Sequence, residues 1–217
     1  MTSQTDLAAL MCSRLCHDLL SPVGAISNGL ELLADERDPE MRQRCLELLE
    51  QSARISTDKL KFFRLAFGAA GGFGEAVPVE EAQNVIGALA TDAKRVEINW
   101  AIAESTLPKP AVKVLLNLSQ MALDALVRGG TLDLGAERRD GNVEIVARAT
   151  GDRIAFDESI GMALQGDTDD AEITSRTAAA HMIALLAQEL GGGLQYKLTD
   201  DALVLGAVIP EPEGMIG

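Results

Sequence analysis

The pattern of apolar residues between positions 15 and 33 is the strongest constraint on the fold of this chain. At a helical rotation of about 100° per residue, five apolar side chains fall within about 80° of Leu15 and form one continuous stripe with it: Leu19, Val23, Ile26, Leu30 and Leu33. His17 lies on the other side of this helix, among small and polar residues. The pattern therefore predicts a helix whose stripe packs against other helices and whose histidine is exposed.

The N-terminal third of the chain is predicted to form a helical hairpin. Residues 6–34 have the periodicity of one long helix, which Pro22 is expected to kink because proline removes a helical hydrogen bond. After a turn at residues 35–39, a second helix is predicted to start at Pro39 with Glu40 and to run to about Phe67. Two such helices cannot cover their own apolar faces, so we expect two copies to pair into a homodimeric four-helix bundle.

The rest of the chain has a mixed pattern. A glycine-rich segment at residues 68–74 marks a domain boundary, which predicts a hairpin domain at 1–70, a second domain at 75–210 and a tail at 211–217. The second domain is predicted to be α+β, with helices on a largely antiparallel sheet. Its expected helices span residues 80–93, 110–127 and 172–190, and its expected strands span 96–102, 131–137, 142–149, 193–198 and 202–209.

Charge and hydropathy limit the partners. A formal net charge of −14 argues against a nucleic acid or an anionic membrane as partner, because both bind basic surfaces. No apolar run reaches the length of about 18 residues that a membrane span needs, and the N-terminal residues lack the features of a secretory signal. We therefore expect a cytoplasmic protein whose partner is another protein or a small ligand.

The cysteines do not suggest a metal site. Cys12, Cys16 and Cys45 are an odd number without the paired spacing of metal ligands, and Cys16 and the adjacent His17 point in different directions on a helix. We expect structural burial of these cysteines, and no metal or other cofactor bound by the chain.

His17 is the candidate reactive residue. A histidine on a helix surface is often only a solvated side chain, but Asp18 follows it directly and the surface below it is nearly bare at Gly24, Ala25 and Gly29. A bare surface beside a reactive group favours the docking of another protein. The predicted docking surface on this helix comprises Leu20, Ser21, Gly24 and Asn28, with Leu20 as its apolar anchor.

A second group of candidate docking residues is basic. Folding the hairpin around residues 36–38 places His17 roughly opposite residues 56–58, so four cations are expected in its neighbourhood: Arg54, Lys59, Lys61 and Arg64. On an acidic protein they can steer an acidic partner toward the histidine. The alternative is that they are ordinary solvated charges of a helix.

Residues 17–22, with the sequence His-Asp-Leu-Leu-Ser-Pro, closely resemble the histidine box of sensor histidine kinases, commonly His-Glu-Leu-Arg-Thr-Pro. The resemblance extends to the rest of the chain: the order of elements after the hairpin is similar to the kinase ATP-binding domain, residues 115–118 resemble its asparagine box, and residues 189–194 resemble its last helix-to-strand turn. In that family the histidine carries a phosphoryl group on a dimeric helical hairpin.

The chain departs from the kinase pattern where a kinase binds nucleotide. Met121 stands where a second asparagine helps to hold Mg²⁺, and a thioether is a poor ligand for a hard cation. Residues 149–153 lack the acid and the second glycine of the Asp-x-Gly-x-Gly motif, and residues 175–180 contain no glycine to approach a phosphate. We therefore expect no nucleotide binding.

A histidine box joined to a degenerate ATP-binding domain resembles the ChpT-type bacterial histidine phosphotransferases. This resemblance implies that His17 takes a phosphoryl group from the receiver-domain aspartate of a hybrid histidine kinase and passes it to the aspartate of a response regulator, with Mg²⁺ on the receiver. Asp18 is expected to accept a hydrogen bond from the imidazole, although it can equally be a solvated acid. The alternatives are an ATP-dependent sensor-type kinase and a non-catalytic dimeric adaptor that docks response regulators.

Overall fold

The computed structural model describes residues 3–68, 75–92, 95–167 and 173–211. Seven strands and six helices are found in these ranges, in the following order: α1 Gln4–Asp35, α2 Pro39–Phe67, β1 Ala76–Pro78, α3 Val79–Asp92, β2 Val96–Ile102, β3 Thr106–Pro108, α4 Lys109–Ala125, β4 Gly130–Arg139, β5 Asn142–Thr150, α5 Glu158–Gln165, α6 Ala178–Glu189, β6 Gly193–Leu198 and β7 Ala202–Pro210. This is the predicted α+β fold, an N-terminal helical hairpin followed by a sheet covered by helices.

Local signals fix both ends of the hairpin turn. Asp38 caps α2 by accepting a hydrogen bond from the Glu40 N–H, and Pro39 occupies the first helical position, where its missing N–H is not needed. Arg42 reaches back to the end of α1 and donates to the carbonyls of Leu33 and Glu36. These contacts reverse the chain tightly and hold α1 and α2 antiparallel along their length.

The C-terminal part, residues 75–211, is built on a five-stranded sheet in the order β2-β4-β5-β7-β6. Only β2 and β4 pair in parallel, and the other neighbours are antiparallel, as predicted. Asp140 and Gly141 connect β4 to β5 with φ angles of 51° and 77°, the double positive φ of a two-residue hairpin turn that Asp-Gly favours. β1 and β3 form a separate two-stranded sheet, which the sequence pattern did not predict.

Helices cover one face of the sheet. Alternate residues of the central strands are buried, such as Leu132 and Leu134 of β4 and Leu203 and Leu205 of β7, and α4 packs across them. The last turns of α2 join the same core through Phe62, Phe63, Leu65 and Ala66. The open end of the hairpin is therefore packed against the C-terminal part, which places the histidine helix beside α4 and α6.

Three expectations differ from the structure. A helix predicted at 172–190 begins only at Ala178, because the Thr177 hydroxyl accepts a hydrogen bond from the Thr174 N–H and the chain turns there. The stretch after β5 was expected to be irregular, but it contains α5, which Asp157 caps and Gly166 ends with a φ of 75°. Cys45 is buried as expected, whereas the expectation was wrong for Cys12 and Cys16, which are exposed on the side of α1 that a single hairpin leaves uncovered.

Some predictions fall outside the described residues. The glycine-rich boundary is described only at Gly68, and residues 69–74 lie outside, as do residues 212–217 of the predicted tail and residues 168–172. Among the helices of the described residues, none is both long enough and apolar enough to span a membrane.

Candidate functional site

His17 lies in the middle of α1, with 88% of its side chain exposed. Its exposure confirms the prediction from the helical pattern. The ring nitrogen Nδ1 is 3.3 Å from Oδ1 of Asp18. In the tautomer that carries its proton on Nδ1, this nitrogen donates to the carboxylate and Nε2 keeps a free lone pair. This arrangement suits a nucleophilic nitrogen on a ring that an adjacent acceptor orients.

Pro22 changes the hydrogen bonding of the helix directly below His17. Proline has no N–H, so the carbonyl of Asp18, four residues earlier, lacks its usual helical donor. Nζ of Lys59, on α2, donates to this carbonyl at 2.9 Å. Pro22 thus leaves a backbone acceptor unpaired within α1, and a cation from the other helix of the hairpin donates to it.

Arg14 lies one helical turn before Asp18 and joins α1 to the C-terminal part. Its Nε is 3.8 Å from Oδ2 of Asp18, and its Nη1 donates to the carbonyl of Arg176 at 3.2 Å. A cavity of about 280 Å³ lies between the helices here. Its charged and amide-bearing lining residues come from three helices: Arg14, Asp18, Lys59, Gln120 and Asp124.

Asp124, near the end of α4, is the second acid of this cavity. Oδ1 of Asp124 accepts a hydrogen bond from Nε2 of Gln120 at 2.7 Å. Asp124 is partly open to solvent, but desolvation by the surrounding protein raises the pKa of its carboxyl. The Gln120 hydrogen bond and the charges of Arg14 and Lys59 lower this pKa without cancelling the rise. Two acids and two cations therefore meet beside His17.

The residues of the predicted docking surface on α1 lie open. Leu20 is 72% exposed, which is unusual for a leucine in the middle of a long helix. Ser21 and Asn28 are also exposed, and a Cβ placed on Gly24 would have no neighbour within 4 Å. The structure leaves this surface free for contact, and it remains a predicted docking surface.

The four cations expected near His17 do not lie together. Lys59 is half-buried against Asp18, whereas Lys61 forms an ion pair with Asp58 at 3.2 Å and lines, with Arg64, a separate groove between α2 and α3. Arg54 is exposed on α2. Lys59 thus contacts the residue next to His17, whereas Lys61 and Arg64 lie in the groove toward α3.

The positions that depart from the kinase pattern differ in burial, since Arg153 is exposed whereas others lie in the core. Met121 and Ala149 are buried, and the Asn117 amide donates to the carbonyl of Lys113 within its own helix at 2.8 Å. The residues that the structure describes contain no group of three or more His, Cys, Asp or Glu side chains arranged to hold a metal ion.

Sequence reasoning missed Arg14, Gln120 and Asp124. The spacing of Arg14 and Asp18 is that of a helical ion pair and could have indicated their contact. Nothing in the sequence places Asp124 beside α1, because the two segments are more than a hundred residues apart and meet only through the packing of α4.

Comparison with known proteins identifies the family. The family model for the histidine phosphotransferase C-terminal domain matches residues 79–202, more than half of the chain. The chain belongs to the histidine phosphotransferase family. It is similar to the protein phosphotransferase ChpT of Brucella abortus (strain 2308), with 36% identity over 94% of this chain and 96% of that protein. The solved structure of a bacterial phosphotransferase has a TM-score of 0.83 and 33% identity, covering 95% of this chain and 98% of that one.

Proposed function

We propose that this member of the family carries a phosphoryl group on His17, taking it from a receiver-domain aspartate and passing it to the receiver of a response regulator. Histidine phosphotransfer in a phosphorelay follows from the family, and the comparisons do not favour the sensor-type kinase or the adaptor. One observation carries the assignment of the residue. His17 combines an exposed ring with an acceptor for Nδ1 on the adjacent acid.

The transfer is a displacement at phosphorus. The lone pair of Nε2 forms the N–P bond while the P–O bond to the donor aspartate breaks and returns its electron pair to that carboxylate. The proton stays on Nδ1, where Asp18 balances the positive charge that the ring acquires. In the second transfer the acceptor carboxylate attacks phosphorus and Nε2 recovers its lone pair. Asp18 thus serves both directions without gaining or losing a proton.

The receiver is proposed to supply the Mg²⁺ of this reaction, since the phosphoryl group is attached to the receiver's own aspartate in both transfers. We further propose that the chain does not bind ATP. Two observations support this: Met121, which stands where a kinase has a second asparagine, is buried in the core, and the Asn117 amide bonds within its own helix. Calorimetry with ATP and Mg²⁺ tests it, and saturable binding would restore the kinase alternative.

The receiver is proposed to dock on α1 below His17, over Leu20, Ser21, Gly24 and Asn28. Leu20 has the exposure of an apolar anchor, and Gly24 allows a close approach. Leu20→Arg is expected to slow transfer while the thermal midpoint holds, since the side chain has few contacts to lose. Unchanged transfer would show that receivers bind elsewhere.

We also propose the homodimer, formed in the cytoplasm by the hairpin. Val23 and Leu30 of the predicted stripe are about half exposed in the single chain, while Leu15, Leu19, Ile26 and Leu33 are partly buried. Further leucines of the hairpin are exposed as well, namely Leu46, Leu48 and Leu60. Such an apolar area on two helices is what the pairing of two hairpins would cover.

The direct test follows labelled phosphate from a phosphorylated receiver. Wild type is expected to take up acid-labile phosphate and His17→Asn is expected to take up none. His181→Asn is the matched control, because the chain has only two histidines and His181 lies in α6. Equal melting curves establish that the variants fold. Label on the His17 variant, or its loss from the His181 variant alone, would refute the assignment.

A further inference from the structure

Two cations hold Asp18 from opposite ends of the residue. Arg14 faces its carboxylate with Nε 3.8 Å from Oδ2, and Lys59 donates to its main-chain carbonyl at 2.9 Å. The other carboxylate oxygen, Oδ1, is the one that faces Nδ1 of His17. Arg14, Lys59 and His17 therefore all contact the same residue, Asp18.

These cations are poorly placed to attract a partner. The Arg14 side chain is only 18% exposed, and Lys59 is half-buried in a cavity that Phe62 and Phe63 also line. Both are already bonded to groups of their own chain. Steering needs charge that is open to solvent and not yet neutralised, whereas fixing a neighbour needs partly buried, directed contacts.

The C-terminal part contacts Arg14 in turn. Arg14 donates to the carbonyl of Arg176, whose own guanidinium pairs with Asp157 at 3.2 Å between Nε and Oδ2. Asp124 adds a carboxylate to the same cavity from α4. The C-terminal part thus contacts Arg14, and Arg14 in turn contacts Asp18, the residue next to His17.

We propose that Arg14 and Lys59 are positioning residues, which fix Asp18 so that the His17 ring keeps Nδ1 toward the carboxylate and Nε2 toward the incoming phosphoryl group. The proposal deepens the proposed function and its kinetic part rests on it. Lys59, which was predicted to be a docking residue, is here proposed to position Asp18 instead. The orientation of the ring is a property of the free protein, so it can be measured without any transfer.

The experiment compares Arg14→Gln and Lys59→Met with Arg44→Gln. The control removes one positive charge from an exposed position of α2 that belongs neither to the docking residues nor to the contacts of Asp18. Imidazole ¹⁵N shifts of the unphosphorylated variants report the tautomer, and single-turnover transfer to a response-regulator receiver separates the maximal rate from the half-saturating receiver concentration. Melting curves accompany each variant, and either Arg14→Gln or Lys59→Met suffices if the other does not fold.

We expect both test variants to lose the preference for the Nδ1–H tautomer and to transfer about 10- to 100-fold more slowly at saturation, as a displaced reactive group does. The half-saturating concentration should stay near that of wild type, and Lys59→Arg and Arg14→Lys should recover part of the rate. Unchanged imidazole ¹⁵N shifts of His17 overturn the proposal, even if transfer fails for another reason. So does a variant that changes only the half-saturating concentration, or one that changes the ring and leaves the maximal rate intact.

Discussion

Replacing Gly24 with alanine should make the protein more stable. Gly24 lies inside α1, and a Cβ at this position would have nothing within 4 Å. Glycine in a helix interior is less favourable than alanine by about 1 kcal/mol, and no clash offsets that gain here. For a chain of this size the thermal midpoint should rise by roughly 2–4 °C. Calorimetric unfolding of wild type and Gly24→Ala measures the difference.

A longer side chain at position 24 should stabilise the helix but slow phosphotransfer. Gly24→Gln gains helix stability for the same reason, but its side chain covers the predicted docking surface, so transfer from a receiver should slow. Gly87→Ala, in α3, is the matched control, because its added Cβ also meets nothing within 4 Å. It should stabilise equally and transfer normally. A loss of stability in Gly24→Ala, or normal transfer by Gly24→Gln, would refute this reasoning.

Three further predictions concern stability and assembly. Gly161→Ala should lower the free energy of unfolding by about 1–3 kcal/mol in a denaturant titration, because the added methyl would overlap the Tyr196 ring; an unchanged midpoint contradicts this. Because desolvation raises the pKa of Asp124, the folded state loses stability as the pH rises through that pKa. Asp124→Asn should therefore have a higher melting temperature than wild type at pH 8, and the difference should vanish toward pH 4. A larger difference in melting temperature at acid pH would contradict this. Leu30→Glu places a charge on the proposed dimer face and should yield a monomer by light scattering at micromolar concentration, with Glu31→Gln as control; a dimeric mass for Leu30→Glu would place the interface elsewhere.

The hairpin could be predicted because its signals are local. Apolar spacing, Pro39 after Asp38 and the polar face of the helix around His17 act within one or two helical turns, and the structure gives α1 and α2 within two residues of the predicted ends. The Asp140-Gly141 turn is equally local, since two consecutive positive φ angles restrict the choice of residue. Such features follow from the backbone and its nearest side chains alone.

The support of the site could not be predicted because its contacts are distant in sequence. Arg14 meets the carbonyl of Arg176 across 162 positions, and Lys59 meets that of Asp18 across 41. The hairpin geometry placed Lys59, Lys61 and Arg64 in one region, but the rotation of α2 turns Lys59 inward and the other two toward α3. Which face of a helix is covered depends on the packing of the whole chain.

The histidine helix contains three residues that weaken helices, and the structure gives each a separate reason. Proline costs about 3 kcal/mol in a helix interior and glycine about 1, so Pro22, Gly24 and Gly29 together disfavour α1 by roughly 5 kcal/mol relative to alanine. Pro22 frees the Asp18 carbonyl for Lys59. Gly29 lets α2 approach, since a Cβ there would lie 2.9 Å from Cδ2 of Leu49. Gly24 has no such internal contact, so its absent side chain benefits only a molecule that approaches from outside, and this is why the docking surface is assigned to the side of α1 that carries His17.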